Sequence, residues 1–308
     1  MKTQWNGIRR IVPGQGGDCT LLLGSEKTAV IDTGMTWCSD RLVQLLETGL
    51  NGRDLDYILL THSHYDHAGG VPALKKRWPK AEVVASGYAK YVFGREGAQR
   101  EMHRMAKMAA DQYLGESTIS EELAGLLDWL VEWMQVDRAV TTGERISLGD
   151  LTVKALETPG HTKCSMSFYL EELKAIYHSE STGCYAPEQR IEPSVLIGFP
   201  EAVRSTELCQ ALGAEYVISP HFGLVEGVDP HRYFDEAIRE IKGLQEYVKV
   251  RLKAGLSPEE ILNQGIQDFW ETRTISKEDH PLEAFSVNMK ATIRLVQKEE
   301  ENNDTNAE

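Results

Sequence analysis

Three imidazoles and one carboxylate fall within six positions of the segment Thr61-His62-Ser63-His64-Tyr65-Asp66-His67-Ala68-Gly69-Gly70, directly after the apolar run Tyr57-Ile58-Leu59-Leu60. A buried strand that ends there releases all four side chains onto a short loop at its carboxyl end. Neutral imidazole nitrogens and carboxylate oxygens are the donors that suit zinc, manganese or iron. So many titratable groups packed together are costly to bury unless a cation compensates them. Three clustered histidines and an aspartate on an idle surface loop is the weaker reading, and the loop is expected to bind metal.

One loop does not complete such a site, so further ligands are expected downstream. Thr158-Pro159-Gly160-His161-Thr162 follows the strand-like Leu151–Leu156 and presents a histidine just past a strand end. Glu180 follows the apolar Ala175-Ile176-Tyr177 in the same setting, and His221 follows Val217-Ile218-Ser219-Pro220. Loops at strand ends that converge on one sheet edge are a common way for α/β folds to assemble a site.

Taken in order, His-x-His-x-Asp-His, Thr-Pro-Gly-His-Thr, a strand-end acid and Pro-His-x-Gly resemble the metallo-β-lactamase-fold hydrolases over roughly residues 8–223. Within that superfamily the pattern is most similar to glyoxalase II-type thioesterases and related acyl hydrolases. The resemblance implies an α/β fold, a four-layer αβ/βα sandwich, with a helical insertion and C-terminal helices. It implies two divalent transition-metal ions as cofactors, zinc first, with iron or manganese as alternatives. His62, His64 and His161 would hold one ion, and Asp66, His67 and His221 the other. Glu180 stands where the family carries a bridging aspartate in a Gly-Asp pair; here the pair is Ser179-Glu180. Glutamate keeps both oxygens but adds a methylene, which affects the metal separation and the filling of the second position. Asp32, in Ala29-Val30-Ile31-Asp32-Thr33-Gly34, matches a family position behind the site; it would orient a ligand, against the alternative of a plain turn aspartate. His178 lies two residues before Glu180 and on a strand would face the same side, as a supporting or core histidine rather than a ligand.

The chemistry implied is hydrolysis. A water shared by two cations loses a proton near neutral pH and attacks a carbonyl. Asp66, a ligand first, is also the catalytic candidate as acceptor of a hydrogen bond from that water. Thioesters lead, then esters or lactones. The alternatives are an iron oxidoreductase such as a persulfide dioxygenase, with one or two metals, or a phosphodiesterase. There is no Gly-x-Ser-x-Gly to suggest a serine nucleophile.

The 308 residues are 41% hydrophobic, enough for a large core. The net charge of −14 argues against a nucleic-acid partner, because phosphate binding draws on concentrated Lys and Arg. A small-molecule substrate is the expected partner, and the oligomeric state stays open, a homodimer included. No apolar run approaches the roughly 20 residues of a membrane span, and the first ten residues lack the apolar stretch of a secretory signal. Five cysteines, 19, 38, 164, 184 and 209, form no Cys-x-x-Cys pair. Free thiols in a reducing cytoplasm, away from any membrane, are the expectation.

The elements that must position the ligands alternate strands with helices. A catalytic domain is expected over 1–225, interrupted at about 88–138, where strand signals vanish. There a second helix from Ser120 places Leu123, Leu126, Leu127, Leu130 and Met134 at helical spacing, with Trp129 and Trp133 one turn apart. This hairpin either simply packs on the core or forms a lid over the metals. Residues 226–298 read as C-terminal helices packed on the core, with a capping box at Ser257-Pro258-Glu259-Glu260. Residues 299–308 read as a disordered acidic tail; Lys298–Glu308 carries five acids and one base.

Overall fold

Strands that bury residues on both faces build two stacked sheets. In the computed structural model, which describes residues 4–5, 7–114, 134–274 and 277–305, β4 (Thr28–Ile31) buries all four residues and β5 (Tyr57–Leu59) all three. That is the signature of sheets covered on each side. The first sheet runs β1 (Gln4–Trp5), β2 (Ile8–Ile11), β3 (Cys19–Leu23), β4, β5, β6 (Glu82–Ser86), β7 (Arg138–Val140). Neighbours are antiparallel up to β4 and parallel from β4 to β7.

The second sheet has the order β15 (Gly223–Leu224), β14 (Tyr216–Ser219), β11 (Ala175–Tyr177), β10 (Met166–Leu170), β9 (Thr152–Glu157), β8 (Arg145–Ser147). The turn through Glu171-Glu172 joins β10 and β11 as an antiparallel hairpin with Leu170 opposite Ala175. A two-stranded piece, β12 (Cys184–Ala186) with β13 (Arg190–Glu192), stands apart from both sheets.

Alternation along the strands sorts the core into layers. Leu22, Ile31 and Leu59 of the first sheet meet Val153, Phe168 and Ile218 of the second in one buried cluster. The other face of the first sheet, with Leu21, Val30 and Ile58, packs on α1 (Ser39–Leu50) through Leu42 and Leu46 and, beyond the one-turn α2 (Tyr65–Ala68), on α3 (Val71–Arg77) through Leu74. The outer face of the second sheet, with Leu156, Ile176 and Val217, packs on α6 (Phe199–Gln210) through Cys209 and on α7 (Pro230–Lys253) through Phe234 and Ala237. Helix, sheet, sheet, helix is therefore the layer order, an αβ/βα sandwich.

Within the insertion, α4 (Gly87–Phe93) and α5 (Glu96–Leu114) are helical. The second helix expected from Ser120, including Trp129 and Trp133, lies outside the described residues except for Met134, which is buried. At the C-terminal side α7 changes partners along its length. Its later residues Ile241, Leu244 and Val248 join Ile261 of α8 (Pro258–Gly265) and Phe285, Met289 and Ile293 of α9 (Leu282–Thr305) in a separate helical cluster. The capping box at Ser257 forms, with Glu260 as its reciprocal partner. Beyond Gly265 the helix widens into a π turn, Ile266–Trp270.

One boundary differs from the sequence reading. The acidic tail expected from residue 299 is helical through Thr305. Its acids meet bases on α7: Glu300 pairs with Lys249 at 2.9 Å and Lys253 at 3.2 Å, and Glu299 accepts from Gln245 at 2.8 Å. Composition alone saw a run of like charge; the neighbouring helix supplies the opposite sign. All five cysteines are free thiols, and among the described residues no helix is long and apolar enough to cross a membrane.

Candidate metal centre

Parallel strands bring the motifs to one edge. Ile31 of β4 lies opposite Leu59 of β5, so Asp32 and the His62–His67 loop leave the first sheet together. Tyr177 of β11 lies opposite Ile218 of β14, so Glu180 and His221 leave the second sheet together. The Met166 N–H donates to the Thr61 carbonyl at 2.7 Å, which ties the two sheets at this point. His161 sits in the β9–β10 loop after Gly160, where φ is +149° and an added Cβ would lie 2.6 Å from the Ala202 backbone of α6. Only a glycine there lets the loop approach α6 closely enough to aim His161 inward.

The side chains form two groups. His62, His64 and His161 offer three nitrogens, and Asp66, His67, Glu180 and His221 offer a second set, each set within 4.8 Å of itself. The Glu180 carboxylate lies between them. Its Oε2 is 3.0 Å from His161 Nε2, while its Oε1 is 3.0 Å from His67 Nε2 and 2.6 Å from His221 Nε2. The extra methylene of glutamate, relative to aspartate, thus reaches both sets from a 3₁₀ turn, Glu180–Thr182.

Three of the imidazoles are oriented from behind. The His67 Nδ1–H donates to Asp32 Oδ2 at 2.8 Å, and the His161 Nδ1–H donates to the Ser194 carbonyl at 3.0 Å. His62 Nδ1 is 3.0 Å from Thr61 Oγ, whose own hydroxyl reaches Asp32 at 2.8 Å. These contacts place the Nδ1 protons behind the rings and turn the Nε2 of all three into the site. His64 turns its Nδ1 inward instead, 3.0 Å from His161 Nε2.

A cation fits this donor set. His62 Nε2 and Asp66 Oδ1 are buried without a hydrogen-bond partner, a costly state that a ligated ion would relieve. Burial, followed by the neighbouring rings, pushes His62 well below the usual histidine range and His64 down to about 4, so both are neutral and ready to donate a lone pair. Burial also opposes charge on His67 and His221, but Asp32 and Asp66 beside the first, and Glu180 beside the second, outweigh it and raise both. Burial would raise Glu180, yet His161, His221 and His67 hold it well below the ordinary carboxyl range. The donors are nitrogen and oxygen, compatible with divalent metal ions.

Two site residues occupy left-handed backbone. Asp32 has φ +59° and His221 φ +65°, a conformation that costs roughly 1–3 kcal/mol at a non-glycine residue. Asp32 is held by His67 and by the Thr61 N–H at 2.8 Å. His221 is held through its carbonyl, which accepts from Arg10 Nη2 at 2.9 Å, and Arg10 is in turn paired with Asp18.

Not every expected residue joins the cluster. His178 is engaged elsewhere: its Nδ1–H donates to the Ser179 carbonyl at 3.0 Å and its Nε2 accepts from the Tyr233 hydroxyl at 2.8 Å. The hairpin ends before residue 178, so the strand alternation that would have aimed it at Glu180's side no longer applies. Cys164 is a small buried thiol near Ser63 Oγ at 3.4 Å. Conversely, Ser194 and Arg10 support ligands with no local signal, because each arrives from a distant segment. His280 lines the cavity beside the site.

That cavity, of about 580 Å³, runs from His64, Asp66 and His221 toward the C-terminal helices. The insertion borders it through Met105, and α5 is seated by the stacked pair Trp37–Tyr113, 5.0 Å between centroids.

The chain is similar to known proteins. The model of the metallo-beta-lactamase superfamily matches residues 12–179. A metallo-beta-lactamase fold-containing protein of Sulfurisphaera tokodaii is 26% identical over 163 residues, 50% of this chain and 58% of that protein. A hydroxyacylglutathione hydrolase of Bradyrhizobium sp. is 31% identical over 146 residues, 46% of this chain and 40% of that protein. The chain thus spans about half the length of these curated relatives. Among solved structures, a metallo-beta-lactamase family protein from Thermus thermophilus superposes with a TM-score of 0.63 at 20% identity, covering 95% of this chain and 94% of that one. An archaeal superfamily protein from Sulfolobus tokodaii gives 0.61 at 21% identity, covering 96% and 100%.

Proposed function

This chain belongs to the metallo-β-lactamase superfamily, and from that premise we propose that it is a metal-dependent hydrolase of a carbonyl substrate, thioesters ahead of esters and lactones. The observation that carries the reading is Glu180, one buried carboxylate facing both ligand groups at 3.0 Å or less. That position suits a pair of neighbouring cations, one of which His62, His64 and His161 would hold and the other Asp66, His67 and His221. Two divalent ions, zinc first and iron or manganese as alternatives, would supply the acidity that frees hydroxide near neutral pH and polarises a carbonyl oxygen.

The chain's own residues contribute orientation and proton handling. Asp32, Thr61 and Ser194 hold three rings in the tautomers that leave Nε2 free. Asp66, a ligand first through its buried, unpartnered Oδ1, would also accept a hydrogen bond from the attacking water. Addition of that water to the carbonyl carbon is followed by cleavage of the carbon–sulfur or carbon–oxygen bond. The proton given up by water then leaves with the thiol or alcohol. The relatives named hydroxyacylglutathione hydrolase favour a thioester.

The reading is tested with metal-supplemented full-length protein against acetyl esters, acetyl thioesters, a lactone and a phosphodiester, each with and without chelator. Chelator-sensitive thioester turnover at a higher kcat/KM than the matching ester is expected. Turnover of the phosphodiester alone, or none of the panel, would overturn it.

A further inference from the structure

We propose, resting on the carbonyl-hydrolase reading, that the cavity beside the ligands receives an uncharged apolar chain of the substrate, admitted past Gly243. Three observations converge on this. First, the far wall is apolar and comes from the C-terminal cluster: Leu244 and Tyr247 on α7, Phe269 in the π turn, Phe285 and Met289 on α9. The wall is continuous with the ligands His64, Asp66 and His221, so a chain lying on it would place its carbonyl end at the site. A cavity of about 580 Å³ is in the range of pockets that enclose drug-sized molecules.

Second, Gly243 is a glycine inside a 24-residue helix, where it weakens the helix relative to alanine. Neither backbone nor packing requires it. Its φ is not positive, and an added Cβ would meet nothing within 4 Å. Gly265 is the contrast: a Cβ there would lie 2.6 Å from the Met289 methyl, so that glycine seats a wall residue. Gly243 lines the cavity at an exposed position, and what its missing side chain preserves is the opening.

Third, the charges disfavour an anion. Glu236, Glu240 and Gly243 follow one another at helical spacing on the cavity side of α7. Both arginines on the lining are engaged: Arg273 pairs with Glu192 and donates to the His280 carbonyl. Arg190 reaches Glu192 at 3.1 Å, Thr272 at 3.0 Å and the Phe269 carbonyl at 3.1 Å. Phosphate and carboxylate recognition draws on guanidinium donors that are free to fork onto the anion; neither lining arginine is free, and Glu236 and Glu240 lie beside Arg239 on the same helix.

The experiment pairs a binding series with a selectivity series. Straight-chain primary alcohols from butanol to decanol are used to displace the neutral dye Nile red from the full-length protein. p-Nitrophenyl esters from acetate to decanoate are then compared for kcat/KM in metal-supplemented protein. Affinity is expected to rise about fourfold per methylene until the wall is covered. Gly243→Leu is expected to lower the decanoate-to-acetate ratio of kcat/KM by about tenfold or more, the worth of about two displaced methylenes. Circular dichroism of that variant controls for folding; leucine favours the helix at this site. Alcohol affinity independent of length, or an unchanged ratio in Gly243→Leu, overturns the proposal. So does a coenzyme A thioester preferred at least about tenfold over the matching N-acetylcysteamine thioester. Length-dependent alcohol binding without hydrolysis of any ester would instead remove the hydrolase reading and leave the chamber standing.

Discussion

Replacing Asp32 with asparagine removes the carboxylate oxygen that accepts directly from His67. Asp32 is fully buried and accepts from the Thr61 N–H at 2.8 Å, the Thr61 hydroxyl at 2.8 Å and the His67 Nδ1–H at 2.8 Å. Asparagine tolerates the left-handed backbone that Asp32 adopts at φ +59°, so the loop itself should hold. The amide, however, has one oxygen and one NH₂ group. If its oxygen keeps the Thr61 N–H, its NH₂ faces His67 Nδ1. That ring must then move its proton to Nε2, the nitrogen aimed at Glu180. Loss of such a supporting acceptor weakens metal binding about 10–100-fold, or about 1.4–2.8 kcal/mol. Competition with a chromogenic chelator should show one zinc equivalent weakened by that factor. The Thr61 hydroxyl behind His62 keeps the other oxygen of residue 32, 3.0 Å away, so the equivalent on His62, His64 and His161 should change less. Both affinities within about twofold of the unmodified protein would refute the orienting role of Asp32.

Further outcomes follow from neighbouring residues. Glu180→Ala should lower metal stoichiometry, while Glu180→Asp should retain it with altered spacing; elemental analysis giving equal values for both variants would remove Glu180 from the ligands. His178 is depressed to about 4 by burial from an ordinary 6.5. Between those values the unfolded chain takes up the proton first, so this residue's contribution to stability is present above pH 6.5. It is lost as pH falls, at up to about 1.4 kcal/mol per pH unit. Denaturant titrations of the metal-free protein from pH 6.5 to 4 should therefore show a shallower pH slope in His178→Gln, and identical slopes would contradict the buried neutral assignment. In Gly243→Leu, esterase assays should show kcat/KM falling more for the decanoate than for the acetate ester, and equal falls would contradict the opening at Gly243.

The candidate ligand segment His62–His67 is legible because its donors are contiguous and follow an apolar run, so local sequence brings them together. His161, Glu180 and His221 were legible for a related reason: each sits just past a strand, and parallel pairing of β4 with β5 and of β11 with β14 brings those ends to one edge. What supports the ligands was harder to see. Ser194 reaches His161 across 33 residues and Arg10 reaches His221 across 211, separations over which no periodicity operates. His178 shows the limit of strand alternation, since the strand ends at Tyr177 and the next residue turns toward Tyr233. The last helix outruns its composition because Lys249 and Lys253, on another helix, neutralise Glu300.

Anomalous diffraction from crystals of metal-supplemented protein, recorded at the zinc, iron and manganese edges, tests the central claim most directly. Two peaks are expected, one among His62, His64 and His161 and one among Asp66, His67 and His221, with the Glu180 carboxylate between them. Absence of any peak at this cluster in folded, supplemented protein, or a metal bound only elsewhere, would contradict it.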